Sequence, residues 1–161
     1  MKQKINPKEK IDSLLSMGFD AVNSWTYTRA EVEASRIKKY IHAIIGKFLG
    51  IEMVSKIKQS DINKHLYLEE DKQENVYPLL FPNWDCTPRK GRGCTIYTDS
   101  APKVFGEQIK MVKTILSNKA PEHQIAILKS WNEWGEGNYV EPDIKYGRGY
   151  LDVLKEELSN E

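Results

Sequence analysis

A chain of 161 residues with 40% hydrophobic residues is long enough for one ordinary domain with a real core. Its 24 Lys and Arg against 23 Asp and Glu leave a formal charge of +1, which excludes the broad basic field of a nucleic-acid or anionic-membrane binder. No run approaches about eighteen apolar residues and no apolar leader follows Met1, so the sequence reads as soluble, cytoplasmic and without a membrane span.

In chain order, Asn6-Pro7-Lys8-Glu9 offers a cap, a proline for the first helical position and an early acid. Ile11, Leu14, Leu15 and Met17 then form an apolar stripe that ends at Gly18, so a helix is expected near 7–17. Phe19 to Trp25 is short, apolar at its centre and polar at its exit, as expected of a strand feeding a functional loop. Thr28-Arg29-Ala30-Glu31 has the form of a capping box, and Val32, Ile37, Tyr40, Ile41, Ile44, Ile45 and Phe48 follow at helical spacing. A long helix is expected near 29–45. From Gly50 to Asn75 periodicity fades; the stretch is assigned to helix, and its charge run Glu69 to Glu74 to a solvated surface.

Val76 to Pro82 is apolar, but each of its two prolines denies a ladder hydrogen bond, so a short strand with irregular ends is expected. Its exit, Asn83 to Gly93, is aromatic, basic and glycine-containing. Cys86 and Cys94 lie there eight positions apart; they could close a small ring in an oxidising compartment but match no zinc spacing, and free thiols are expected. A helix near 102–117, a strand over 125–130 and a final helix around Tyr150 to Leu158 complete the order. Strands alternating with helices point to an α/β fold of parallel βαβ units, whose loops at the carboxyl ends of strands gather ligands.

The run from Ser130 to Pro142 concentrates three carboxylates, two indoles, a phenol and two glycines at the end of such a strand. Glu133 and Glu136 would face opposite ways in an extended chain, so they cooperate only if the chain turns between them. Gly135 permits that turn, and one helix-like turn would bring their Cβ atoms to about 5–6 Å. Two such carboxylates can serve as general acid and general base at a glycosidic bond. Trp131, Trp134 and Tyr139 supply flat faces that suit the C–H surface of a pyranose. A purely structural reading stands beside this one: the acids cap a turn, Asn132 satisfies backbone groups, and the tryptophans are core residues. Glu141-Pro142-Asp143 reads as turn chemistry, with Lys145 and Arg148 pairing those acids at the surface. His42, His65 and His123 have no ligand spacing, so neither a metal nor another cofactor is expected.

The run Ser130 to Tyr150, SWNEWGEGNYVEPDIKYGRGY, resembles the C-terminal signature of the glycoside hydrolase family 99-like proteins, also labelled glycosyltransferase WbsX. Tyr77 to Arg92, with its Trp84-Asp85 pair before Thr87-Pro88-Arg89, and Asp99 to Phe105 are similar to that family's preceding motifs. The resemblance implies a (β/α) TIM-type barrel acting on glycans in bacterial surface polysaccharide biosynthesis, such as O-antigen or capsule. It further implies that Glu133 acts as base on a sugar 2-hydroxyl, which attacks the anomeric carbon, while Glu136 protonates the leaving oxygen and later activates the acceptor. Asn132, Trp131 and Trp134 would shape the donor subsite, with Trp84, Asp85 and Arg89 as neighbouring sugar contacts. Asp85 and Arg89 also read as a local ion pair fixing their loop.

A closed eight-stranded barrel takes about 200 residues or more. The chain is therefore expected to be the C-terminal portion of such a domain, a partial barrel with no separate second domain. Its partners would be a glycan or glycosyl donor and acceptor, with a missing N-terminal half or a second copy completing the barrel. Alone it is expected to show little turnover. The other function class is an inactive remnant or glycan-binding module that keeps the pocket chemistry.

Overall fold

The computed structural model describes residues 7–24, 26–50 and 53–159, so the expected cap Asn6 and the strand-end Trp25 lie outside the described residues. Helix α1 spans Pro7–Ser16, its proline in the first turn, where no intrahelical N–H bond is lost. It buries Ile11 against Val22 and Val76 and stops before Gly18, whose φ of +94° suits a residue without Cβ. Strand β1, Val22–Asn23, is shorter than expected. Helix α2 spans Tyr27–Leu49 and starts earlier than the sequence indicated, because the expected capping box is not used. The Thr26 carbonyl takes the N–H groups of Arg29 and Ala30 at 3.0 Å each, while the Glu31 carboxylate accepts a 2.9 Å bond from the Tyr97 hydroxyl.

The helix assigned to 50–75 is corrected. Strand β2, Ser55–Lys58, comes first, then helix α3, Gln59–Leu66, and a single 3-10 turn over Glu69–Lys72. Only Ile57 of β2 is buried, so its apolar signal was too thin to read. The single short strand expected over 76–82 is instead two, β3, Val76–Tyr77, and β4, Leu79–Leu80, with Pro78 between them. Next come a four-residue helix α4, Thr87–Lys90, and an unforeseen strand β5, Thr95–Thr98, in which Tyr97 is the buried residue. Helix α5, Pro102–Leu116, strand β6, Ile127–Leu128, and helix α6, Gly149–Ser159, follow the expected order. Between the last two lies an antiparallel hairpin, β7 (Asn132–Glu133) and β8 (Asn138–Tyr139).

All other strand pairs are parallel. The segment 76–80 is central: its first half pairs β1, Val22 opposite Val76, and its second half pairs β6, Leu79 opposite Ile127. A separate ladder joins β2 to β5. This is a mixed α/β fold with parallel strand pairs and no closed barrel among the described residues. The period-2 alternation of β4 divides the core: Leu79 packs with Ile57, Ile62, Leu66, Phe81 and Tyr97, and Leu80 with Phe105, Ile109, Val112, Val140 and Tyr150.

Past Leu80 the backbone needs partners that no strand provides, and side chains supply them. The Phe81 N–H donates to Gln108 Oε1 at 2.5 Å, and its carbonyl accepts Gln59 Nε2 at 2.6 Å. Gln108 in turn donates to Asn63 Oδ1 at 3.0 Å. Gln59 and Gln108 are both fully buried and fully employed.

Cys86 and Cys94 form a disulfide, correcting the expectation of free thiols. The chain turns through α4 and returns as β5, bringing their Cα atoms to 5.8 Å across a separation of eight residues, the small ring that their spacing allowed. A loop of this size limits the unfolded chain by about 2 kcal/mol. Reduction should therefore lower the thermal midpoint by roughly 4–8 °C, and the Cys86→Ser variant should melt at one temperature with or without reductant.

Candidate active site

The signature stretch folds as a hairpin whose connection is a 3-10 turn over Trp134–Glu136, followed by Gly137 in the left-handed region. The turn expected at Gly135 is therefore present. Glu133 Oε1 stands 3.1 Å from where a Gly135 Cβ would lie, so its carboxylate leans over the turn that carries Glu136. Ser130 ties the hairpin base, donating through Oγ to the Asn138 carbonyl at 2.8 Å and accepting the Glu133 N–H at 3.2 Å.

Asn83 docks this hairpin on the end of the central strand. Its amide accepts the Tyr139 N–H at 2.8 Å and donates to the Tyr139 carbonyl at 3.1 Å, while Asn138 Nδ2 donates to the Asn83 carbonyl at 2.7 Å. The Asp85 N–H reaches the Glu136 carbonyl at 2.8 Å. Asn83 was not singled out from the sequence. Its place directly after Pro82, where the strand has to end, was the available signal.

Glu136 is the most elaborately held acid of the site. Arg89 Nη1 meets its Oε1 at 3.0 Å and Lys129 Nζ its Oε2 at 3.6 Å, with the carboxylate side chain only 15% exposed. The local Asp85–Arg89 pair considered above is not formed. Asp85 Oδ1 instead accepts the Thr87 N–H at 2.9 Å and the Thr87 hydroxyl at 2.6 Å, opening α4, and Arg89 crosses to Glu136. Among the described residues no side chain partners the Glu133 carboxylate, which is exposed.

Trp134 stacks on Tyr139 with ring centroids 3.8 Å apart and an interplanar angle of 19°, and its Nε1–H donates to Glu141 at 2.8 Å. The Tyr139 hydroxyl donates to Asp143 at 3.1 Å. Burial, then this bond, pushes the Tyr139 phenol up to about 12, so it stays a proton donor at neutral pH. Asp143 also accepts the Tyr146 N–H, as turn chemistry requires. The expected pairing of Lys145 and Arg148 with the acids of 141–143 is corrected: Lys145 Nζ lies 4.6 Å over the Tyr146 ring, and Arg148 meets Asp152 one helical turn on.

A cavity of about 340 Å³ opens between Trp84, Asp85 and Tyr139, floored by Thr98 and Ser100 and bounded by Tyr146. A second recess of about 520 Å³ lies against Trp134, Tyr139 and Ile144. The fold thus brings Trp84, Asp85 and Tyr139 to one hollow and Trp134 and Tyr139 to another. Trp131, Asn132 and Glu133 are exposed and line neither, and Glu136, held between its two cations, lines neither as well.

Acids, stacked rings and donor groups thus gather near the carboxyl ends of the parallel strands of an α/β protein, where folds of this class place their ligand sites. The chain belongs to the family described as glycosyltransferase WbsX, which matches residues 2–154. It is also 32% identical over 85 residues to two proteins called uncharacterized protein WxcX, from Xanthomonas campestris pv. campestris strains B100 and ATCC 33913. Those matches cover 52% of this chain but only 12% of each relative. No solved structure matches the chain. No helix among the described residues is long and apolar enough to cross a membrane.

Proposed function

We propose that this chain carries a glycan-processing site of polysaccharide biosynthesis, with Glu133 and Glu136 as the working carboxylates. The observation that carries the reading is the Gly135 turn: it holds Glu136 between Arg89 and Lys129 and leans Glu133 over the same turn, beside the Trp134–Tyr139 stack. Glu133 is the base toward a sugar 2-hydroxyl, and Glu136 serves the leaving oxygen. Both Glu136 oxygens already face cations, so one cation must withdraw and that oxygen take up a proton from solvent before Glu136 can pass it to the leaving oxygen. Arg89, 59% exposed, is the one free to swing away. Trp84, Asp85, Tyr139 and Trp134 contact the sugar, and Trp131 and Asn132 extend that surface.

The same reading places the parallel strands in one arc of a (β/α) barrel of the glycoside hydrolase family 99-like type. Among the described residues, β1 and β6 each have one neighbour, and Ile125 and Ile127 are 42% and 40% exposed. Further strands, from another segment or a second copy, would cover those edges. O-antigen or capsule assembly is the setting that fits the family. A glycan-binding module is the second reading, favoured by one observation: neither acid lines the 340 Å³ cavity.

Saturation-transfer NMR with mannose, glucose, galactose and N-acetylglucosamine, run beside turnover of their 4-nitrophenyl glycosides, separates these readings. At least one sugar should bind, with affinity reduced about tenfold in Trp134→Ala through loss of the exposed ring face. Turnover abolished by Glu133→Gln and Glu136→Gln identifies the enzyme. Binding that ignores both substitutions, without turnover, identifies the module. A panel that neither binds nor reacts would sink both.

A further inference from the structure

The Lys129 ammonium stands where three parallel strands end. The residue follows β6, and its own N–H continues the ladder to the Leu80 carbonyl at 2.9 Å. Nζ lies 4.6 Å from the centroid of Trp84, 5.4 Å from Phe81 and 5.9 Å from Tyr27. Tyr27 follows β1, while Phe81 and Trp84 follow β4. The rings are themselves packed, Tyr27 on Phe81 at 5.0 Å and Phe81 on Trp84 at 5.6 Å, so the box around the ammonium is a fixed part of the core. The side chain is 18% exposed, and its polar neighbours are Glu136 Oε2 at 3.6 Å and Asn138 Oδ1 at 3.4 Å.

An ammonium carries three donors, is strongly hydrated, and is rarely taken out of water unless its partners compensate. Here aromatic faces, one amide oxygen and one carboxylate do so. The two cations on Glu136 are therefore unequal. Arg89 reaches it from the short exposed helix α4, whereas Lys129 reaches it from a box of packed rings.

We propose that Lys129 is the positioning residue of Glu136: caged by Tyr27, Phe81 and Trp84, it fixes the orientation of that carboxylate while Arg89 acts as the movable partner. The functional meaning rests on the glycan reading of Glu136; the pairing itself does not. Lys129 touches no substrate in this scheme. It transmits the rigidity of the strand ends to the acid, and Asn138 keeps its ammonium aimed.

Carboxyl labelling with a carbodiimide and glycine ethyl ester, mapped by peptide mass spectrometry, tests this without a substrate. Lys129→Met keeps a similar stem in the ring box and removes the charge, and should raise labelling of Glu136 about fivefold while Glu133 changes less than about twofold. Lys129→Arg should restore labelling near the wild-type level. A role confined to core packing would show no such selectivity and no rescue by arginine. If Lys129→Met fails to fold, Glu136→Gln gives the reciprocal readout: reductive methylation of Lys129 should rise several-fold while that of Lys119 stays constant. Glu136 labelling unchanged in Lys129→Met, or Lys129 methylation unchanged in Glu136→Gln, overturns the proposal. Labelling that responds as stated, in a protein that binds no sugar of the panel, upholds the positioning and overturns the glycan reading alone.

Discussion

Gly137→Ala is expected to destabilise the protein by about 3 kcal/mol, adding backbone strain to a steric conflict with no soft component. Gly137 has φ of +52°, where an L side chain costs about 1 kcal/mol. A Cβ there would lie 2.8 Å from Asp85 Cβ, 3.0 Å from its N and 3.1 Å from its O. Two of these contacts are backbone, and the Asp85 N–H is the group that bonds the Glu136 carbonyl at 2.8 Å. Relief requires the two loops to separate, which lengthens that bond and moves Glu136 away from Arg89. Gly147 supplies the control: its φ is +53°, but nothing lies within 4 Å of its Cβ position. Gly147→Ala should therefore cost only the backbone share, about 1 kcal/mol. In thermal melts the two variants should fall by roughly 6–12 °C and 2–4 °C. Equal losses would mean that the close approach of Asp85 to Gly137 is not part of the folded protein.

That contrast also shows which parts of the site were legible beforehand. Gly135 and the odd spacing of Glu133 and Glu136 demanded a turn, and a 3-10 turn is present. The two prolines told that the central strand would be short and irregular at its ends, because a missing N–H is a local property of one residue, but not that it would divide at Pro78. Helices α1, α5 and α6 were legible for the same local reason, each carrying an apolar stripe of several residues. Strands β2 and β5 were not, since each hides one residue of four: Ile57 sits among lysines, and Tyr97 between a half-buried Ile96 and Thr98.

The unforeseen parts of the site belong to residues whose roles depend on distant neighbours. Lysine and glutamine are ordinarily solvent residues, so nothing local marks Lys129 or Gln108 as interior. Both complete, from afar, what short strands leave unfinished. Gln59 and Gln108 serve the Phe81 backbone, Asn83 serves that of Tyr139, and Lys129 meets Glu136. Arg89 is the intermediate case. Its loop was recognised as functional from composition, but its partner was not, since Asp85 lies four residues away and Glu136 forty-seven. Closure of that loop by Cys86 and Cys94 was missed for the same reason: it depends on β5, which pairs with a strand some forty residues earlier.

Lys119→Met is expected to cost about 3–4 kcal/mol, because it removes a backbone partner and a charge partner together. Lys119 is 4% exposed, and its ammonium donates to the Val76 carbonyl in β3. Asp71, fully buried, accepts the Leu68 N–H at 2.7 Å and is stabilised in its charged form by Lys119. Burial raises the Asp71 carboxyl above its ordinary range despite that help. The folded protein therefore binds this proton more tightly than the unfolded chain, and the group's contribution to stability is full below the ordinary carboxylate value and lost as pH rises through the raised one. Deleting Lys119 removes a cation that opposes the shift, which extends the window upward. The stability deficit of Lys119→Met should thus be larger at pH 7 than at pH 4, measured as the difference in urea midpoint from the wild type. On the alkaline side the sign reverses. Burial lowers the Lys119 ammonium, so the unfolded chain binds that proton more tightly and wild-type stability rises with pH between the lowered value and about 10.4. The methionine variant should lack that rise. A deficit independent of pH would mean that Asp71 and Lys119 do not share a charge environment in the folded protein, leaving only the Val76 carbonyl bond to account for the loss.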